Sequence, residues 1–334
     1  MPPDARMPQV EPTNVDVPTA QAGGGRSSMT PRLLLGPVLI GVLLGLMWLD
    51  WYIARTPMPA ALWWITDADG TGWAGVPLFV AGVLLCARAA LELARMFRAL
   101  GVNASTKSLM VCALAGLVSA VASIGSKAPL SGPESGSVVA TLAGTALFLT
   151  MAAYVRDRDL KGAAGAVAAG LVSFVYAGLM LGFLMAIRRE YEVWVMVAVV
   201  MTIKACDIGA YFTGKAIGRH KLIPWLSPGK TWEGLVGGIA LSAGCGVVMA
   251  WLGTYWIGLE RVQPFRWYQG LALGALLAVM GQLGDLAASV FKRDAGLKDS
   301  GKMLPGFGGM IDILDSLILA GPVAYWFLWL LQQR

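Results

Sequence analysis

The chain has 334 residues, 57% of them hydrophobic and only 14% charged, with a formal net charge of +6. A soluble domain carries nearer a quarter charged residues, so the composition excludes a water-soluble enzyme. It also excludes a disulfide framework and a zinc site: Cys86, Cys112, Cys206 and Cys245 each stand alone in apolar sequence, and His220 is the single histidine.

In chain order, residues 1–30 come first, rich in Pro, Gly, Gln and Thr and without an apolar period. Such a segment cannot bury enough surface to offset its ordering entropy and reads as a disordered cytoplasmic tail. It has no apolar stretch followed by a cleavage site, so it is not a secretory signal. Nine apolar runs follow, near 33–53, 74–94, 108–126, 137–155, 164–187, 193–213, 233–257, 267–291 and 313–331. Each approaches or exceeds the roughly 20 residues needed to cross a bilayer core. The fifth is long and interrupted by glycines, which predicts a tilted or kinked helix, or two half-helices. The fold class is therefore all-α, a polytopic integral membrane helix bundle of about nine transmembrane helices. Amino-terminal helices occupy 31–190, and 191–334 carries the residues with chemical promise.

The basic residues fix an orientation. With the amino terminus inside, Arg26, Arg32, Arg95, Arg98, Lys107, Arg156, Arg158, Lys161, Arg219, Lys221, Lys230, Lys292, Arg293, Lys298 and Lys302 fall on the cytoplasmic side. Arg55, Lys127, Arg188, Arg189, Arg261 and Arg266 fall outside. The first group clearly outnumbers the second, as the positive-inside rule requires. The net positive charge is thus a membrane signature and nucleic acid is not a partner. Trp48 with Trp51, Trp63 with Trp64, and Trp326 with Trp329 read as interfacial belts.

Charge inside the spans carries the chemistry. In the second span, Glu92 and Arg95 read as a helix-end pair, and Arg156 to Lys161 as a solvated loop. In the sixth, Lys204, Asp207 and Tyr211 fall at i, i+3 and i+7 on one helix face. Ionisable residues there face the bundle interior or a wet cavity, as a packing pair or as a site. The following segment, 214–234, reads as a loop that puts Ser227, Lys230 and Thr231 on a Pro-Gly turn. Exposed backbone donors and an ammonium group suit phosphate. It is not a Walker A loop, because Pro224 stands where that pattern needs glycine. At the end of the eighth span Asp285, Ser289, Lys292 and Arg293 again share one face. Lys298, Asp299 and Lys302 follow, then glycines, then Asp312 and Asp315. Aspartates suit a hard cation such as Mg²⁺, and lysines and arginines neutralise phosphate, so the mixture suits phosphoryl or nucleotidyl transfer.

At these residues the chain resembles the phosphatidate cytidylyltransferase (CDP-diacylglycerol synthase) family. The resemblance covers DIGAYFTGKAIGRHKLIPWLSPGKTWEGLVGG (207–238) and GDLAASVFKRDAGLKDSGKMLPGFGGMIDILDS (284–316). The second block is similar to the signature S-x-x-K-R-x4-K-D-x-G-x3-P-G-H-G-G-x-x-D-R-x-D, with its spacing kept. It departs at Phe307 for His and Ile313 for Arg, and Gly229 replaces the first lysine of an S-P-K-K-T-W-E-G form. The resemblance implies that Asp285, Asp312 and, more weakly, Asp315 ligate Mg²⁺, which a second, monovalent cation could accompany. It implies that Asp285, Lys298, Asp299 and Asp312 form the catalytic group, and that Ser289, Lys292, Arg293 and Lys298 meet phosphates. Ser227, Lys230, Thr231 and Glu233 would shape the nucleotide site, and Asp207 and Tyr211 would line the cavity. The implied partners are CTP, phosphatidic acid and membrane lipids, with a second copy of the chain admissible as a homodimer. The implied reaction gives CDP-diacylglycerol and pyrophosphate at the cytoplasmic face of a bacterial inner membrane. Two rival readings are a CTP-dependent polyprenol or phytol kinase and a non-catalytic lipid-binding or transport relative.

Overall fold

Backbone N–H and C=O groups find no partner in lipid, so apolar runs of this length satisfy them internally as helices. A computed structural model of the protein describes residues 29–56, 75–124, 135–157, 161–255, 265–301, 303 and 308–332. In chain order the helices are α1 (Met29–Arg55), α2 (Val76–Ala99), α3 (Thr106–Ser123), α4 (Ser135–Asp157), α5 (Ala163–Val172) and α6 (Met180–Glu190). They continue as α7 (Val193–Ile217), α8 (Trp232–Tyr255), α9 (Trp267–Asp294) and α10 (Met310–Gln332). Among the described residues seven helical segments are long and apolar enough to cross a membrane, with Ala163–Glu190 counted as one. The protein is an integral membrane protein built as a helix bundle. Of the expected tail, residues 1–28 lie outside the described residues, whereas Met29 and Thr30 already belong to α1.

The fifth predicted span is a continuous helical rod, with α5 and α6 joined by a π-helical segment, Ser173–Leu179. Its glycine has a packing reason. A Cβ on Gly178 would collide with the Ala113 carbonyl of α3, and one on Gly116 of α3 would collide with the Phe174 carbonyl. The two backbones therefore touch. Lipid tails are as apolar as leucine, so membrane helices associate through such close approaches and through polar contacts. A second case is the buried Ser242 of α8, whose Oγ lies 2.8 Å from both the Thr202 carbonyl of α7 and the Gly274 carbonyl of α9. The main core runs through fully buried Leu93, Leu117, Ile187, Ile203, Leu277 and Ile318.

Long-range contacts sort the helix ends into two faces. On one, Asp50 of α1 forms a buried ion pair with Arg188 of α6, and Arg188 Nη1 donates to the Tyr191 carbonyl at 3.0 Å. Arg189 on the same face donates to the carbonyls of Val121 and Ile124 at the end of α3. Arg188 and Arg189, expected as loop charges, are thus anchors between helix ends. The opposite face collects the ends of α2 and α9 and the starts of α8 and α10. That alternation is the one expected of successive spans.

Segment 214–234 holds more structure than a loop. Strands β1 (Lys221–Ile223) and β2 (Ser227–Thr231) pair antiparallel, with Lys221 opposite Thr231 and Ile223 opposite Ser227. The turn between them closes through the Leu226 N–H on the Ile223 carbonyl at 3.2 Å. Pro224 stands at its second position, where a fixed φ favours the turn.

Candidate active site

The site is assembled at the junction of α9, the glycine-rich turn and α10. Asp312, in the first turn of α10, accepts four hydrogen bonds. Its Oδ1 receives Lys292 Nζ from α9 at 2.7 Å. Its Oδ2 receives the Ser300 N–H, the Ser300 hydroxyl and the Gly309 N–H, each at 2.8 Å. The carboxylate therefore folds the turn onto the start of the helix, where the helix dipole favours negative charge. Gly308 adopts φ +86°, a conformation open chiefly to glycine. At Gly309 a Cβ would run into Ser300 and Glu92. The two adjacent glycines of the sequence block are thereby explained, Gly308 by conformation and by the Asp312 carboxylate its Cβ would strike, Gly309 by space alone.

Glu92 was not among the expected site residues. It is fully buried on α2 and reaches the start of α10 rather than pairing with Arg95, which is exposed. Glu92 Oε1 accepts from the Met310 N–H at 2.8 Å and Oε2 from the Ile311 N–H at 2.9 Å, and the Ser300 hydroxyl, whose one proton is shared with Asp312, lies 2.7 Å from Oε2. Glu92 thus satisfies two of the amide donors that any helix leaves without a partner in its first turn. The available signal was a carboxylate inside an apolar span, which is costly unless it has a task.

Two further ion pairs continue the charged strip. Lys230 of the hairpin reaches Asp285 of α9 at 2.8 Å and lies 3.5 Å from the Gln282 carbonyl. Lys204 of α7 reaches Asp207 at 3.1 Å, the Ser316 hydroxyl at 2.7 Å and the Ile313 carbonyl at 3.1 Å. Ile313, where the resembled pattern has arginine, therefore serves α7 through its backbone. Asp315 is buried, and the Asp285 carboxylate lies within electrostatic range of its own. Asp315 Oδ1 also accepts the Ser316 N–H at 2.6 Å.

The remaining expected residues divide by position. Ser289 is buried on α9. Arg293 is exposed and clasps the hairpin to α9, its Nε donating to the Leu226 carbonyl at 3.3 Å. The Thr231 hydroxyl accepts the Gly234 N–H at 3.1 Å and so caps α8, whereas Glu233 binds His220 through Nδ1 at 2.6 Å and through its N–H. Ser227 opens β2 opposite Ile223. Lys298 and Asp299 are exposed on the turn, and Tyr211 is exposed with Lys215 over its ring. Lys302 and Phe307 lie outside the described residues.

Among the described residues, no three Asp, Glu, His or Cys side chains converge on one ion position. Asp312, Asp285 and Asp315 each have an oxygen already engaged by a protein donor, and Asp312 Oδ1, with its one bond from Lys292, keeps a lone pair for an ion. Asp285 and Asp315 are the neighbouring pair that a cation can bridge. Two carboxylates completed by substrate oxygens and water match the demands of Mg²⁺, which is seldom caged by protein alone. The donor set therefore fits that ion.

A family model described as "Cytidylyltransferase family" matches residues 59–331, most of the chain. The chain belongs to the cytidylyltransferase family. Relatives include the phosphatidate cytidylyltransferase of Brucella suis biovar 1 (strain 1330), 37% identical over 167 residues, which are 50% of this chain and 58% of that protein. The phosphatidate cytidylyltransferase of Pseudomonas aeruginosa (strain PAO1) is 44% identical over 134 residues, 40% of this chain and 47% of the relative. "Uncharacterized protein YnbB" of Escherichia coli (strain K12) is 43% identical over 122 residues, 36% of this chain and 38% of its own. The chain thus spans between roughly two fifths and three fifths of the length of these relatives.

Proposed function

We propose that the protein is a phosphatidate cytidylyltransferase, joining CTP and phosphatidic acid into CDP-diacylglycerol with release of pyrophosphate. One observation carries this reading: in a member of the cytidylyltransferase family, Lys230, Lys292 and Lys204 alternate with Asp285, Asp312, Asp207 and Asp315 at one end of a membrane bundle. The cations suit phosphates, and the location suits a lipid headgroup meeting a soluble nucleotide.

An oxygen of the lipid phosphate attacks the α-phosphorus of CTP. A new phosphorus–oxygen bond forms as the bond to the bridging oxygen of the β-phosphate breaks, and pyrophosphate leaves with the electron pair. The substrate supplies the nucleophile, so no activated serine or cysteine is needed. Lys230 and Lys292 neutralise charge that develops on phosphate oxygens in a partly desolvated site. Arg293 and Lys298, exposed at the mouth, draw the nucleotide in. Asp285 and Asp315 would hold Mg²⁺, which supplies charge compensation to the phosphates. Asp312 fixes Lys292 and the turn in place. The site faces the cytoplasm of a bacterial inner membrane, where CTP is made.

Incubation of purified protein with labelled CTP and phosphatidic acid, and in a parallel arm with labelled CTP and a polyprenol, each with and without Mg²⁺, tests the reading. Label in a lipid together with pyrophosphate, only when Mg²⁺ is present, is the expected result. Release of CDP with phosphorylation of a lipid alcohol assigns the kinase chemistry instead. No transfer in either form overturns both.

A further inference from the structure

The π-helical segment carries a group that the charged strip leaves unused. Tyr176 is 9% exposed, and its hydroxyl has no hydrogen-bond partner among the described residues. A buried hydroxyl without a partner destabilises a fold, so it asks for a reason. The ring does not supply one. It packs edge-on against Phe291 of α9, with centroids 5.7 Å apart, and phenylalanine would make that contact equally well. The surroundings do supply one, since the carboxylates of Asp315, Asp285 and Asp312 lie within electrostatic range of the hydroxyl. Phe291 is also the immediate neighbour of Lys292. Helices depart into π geometry chiefly at functional positions, and here the contact of Gly178 with α3 pins the segment.

Resting on the reading above, we propose that the Tyr176 hydroxyl donates a hydrogen bond to a phosphoryl oxygen of the bound substrate. The lysines provide charge without direction, whereas a phenol held on a helix provides one directed donor. A bound phosphate monoester brings acceptor oxygens into the space beside the aspartates, and the hydroxyl gains the partner it otherwise lacks. The oxygen belongs either to the lipid phosphate or to the nucleotide, and the two are separable by experiment.

Tyr176→Phe removes the hydroxyl and keeps the ring contact with Phe291. Full-length wild-type and variant proteins in detergent are titrated separately with short-chain phosphatidic acid and with CTP plus Mg²⁺, by calorimetry, alongside thermal unfolding without ligand. The unliganded unfolding midpoint is expected to stay level or rise. Affinity for one ligand is expected to fall about tenfold to a hundredfold, as for a hydrogen bond to a charged group. The arm that falls names the source of the oxygen. A variant that binds both ligands as wild type does, or that loses affinity only together with its folded midpoint, overturns the inference alone. Wild-type protein that binds neither ligand overturns the functional reading together with it.

Discussion

Asp312 shows how a single carboxylate can be structural and chemical at once. It and Lys292 are both largely buried, so removing either leaves a desolvated charge without its partner. Asp312→Ala is expected to cost about 3 kcal/mol, read as a lowered unfolding midpoint in detergent, and to abolish transfer. Lys292→Met with Asp312→Leu should cost less than the two single changes summed, because the double variant strands no charge. Asp285 and Asp315 predict a different signature. Asp285→Asn or Asp315→Asn should leave the unfolding midpoint near wild type while removing its dependence on added Mg²⁺. The aspartates and lysines of this strip were legible in the sequence because an ionisable residue in an apolar run is conspicuous. Their pairings were not. Lys230 and Asp285 lie far apart in the chain, and which cation meets which carboxylate is decided by the packing of α7, α8 and α9.

Among the elements, the glycine-rich turn is the most sharply constrained. Gly309→Ala is expected to cost about 2 kcal/mol and most of the activity, because the added methyl presses on Ser300 and Glu92 together. Gly308→Ala meets a backbone penalty and also a collision of its Cβ with the Asp312 carboxylate, together expected at about 2 kcal/mol in the same unfolding measurement. The helices were readable from the lengths of their apolar runs. The hairpin at Lys221–Thr231 was not, since two strands of three and five residues carry too little alternation to stand out from a polar loop. Nor was the π-helical segment, since glycine spacing signalled an irregular helix without specifying its hydrogen bonding. Both features depend on partners elsewhere in the bundle: Arg293 and Asp285 for the hairpin, α3 for the π-helical segment.

At the scale of the whole molecule, Glu92 joins the amino-terminal helices to the start of α10. Glu92, on the amino-terminal side of the division expected near residue 190, therefore contacts the start of α10 on the other side. Glu92→Ala is expected to destabilise the protein by about 2–4 kcal/mol, since it strips the acceptors from two amide donors at the start of α10. Hydrogen exchange offers the discriminating measurement. The Met310 and Ile311 amides should lose protection in that variant, while the Ser300 amide, held by Asp312, and amides in the α7–α8 pair keep theirs. The sequence carried the carboxylate in plain view but no indication of its target, because a cap supplied by another helix has no local pattern.

Lys230 is already committed to Asp285 before any ligand arrives. An incoming anion that takes this ammonium group must break one ionic contact to make another, so its capture is an exchange rather than an addition. Measured affinity then reports only the difference between the two contacts and understates the strength of the new one. The same exchange releases the carboxylate at the moment the anion docks, so occupancy at the hairpin and readiness of α9 become a single, thermodynamically linked event.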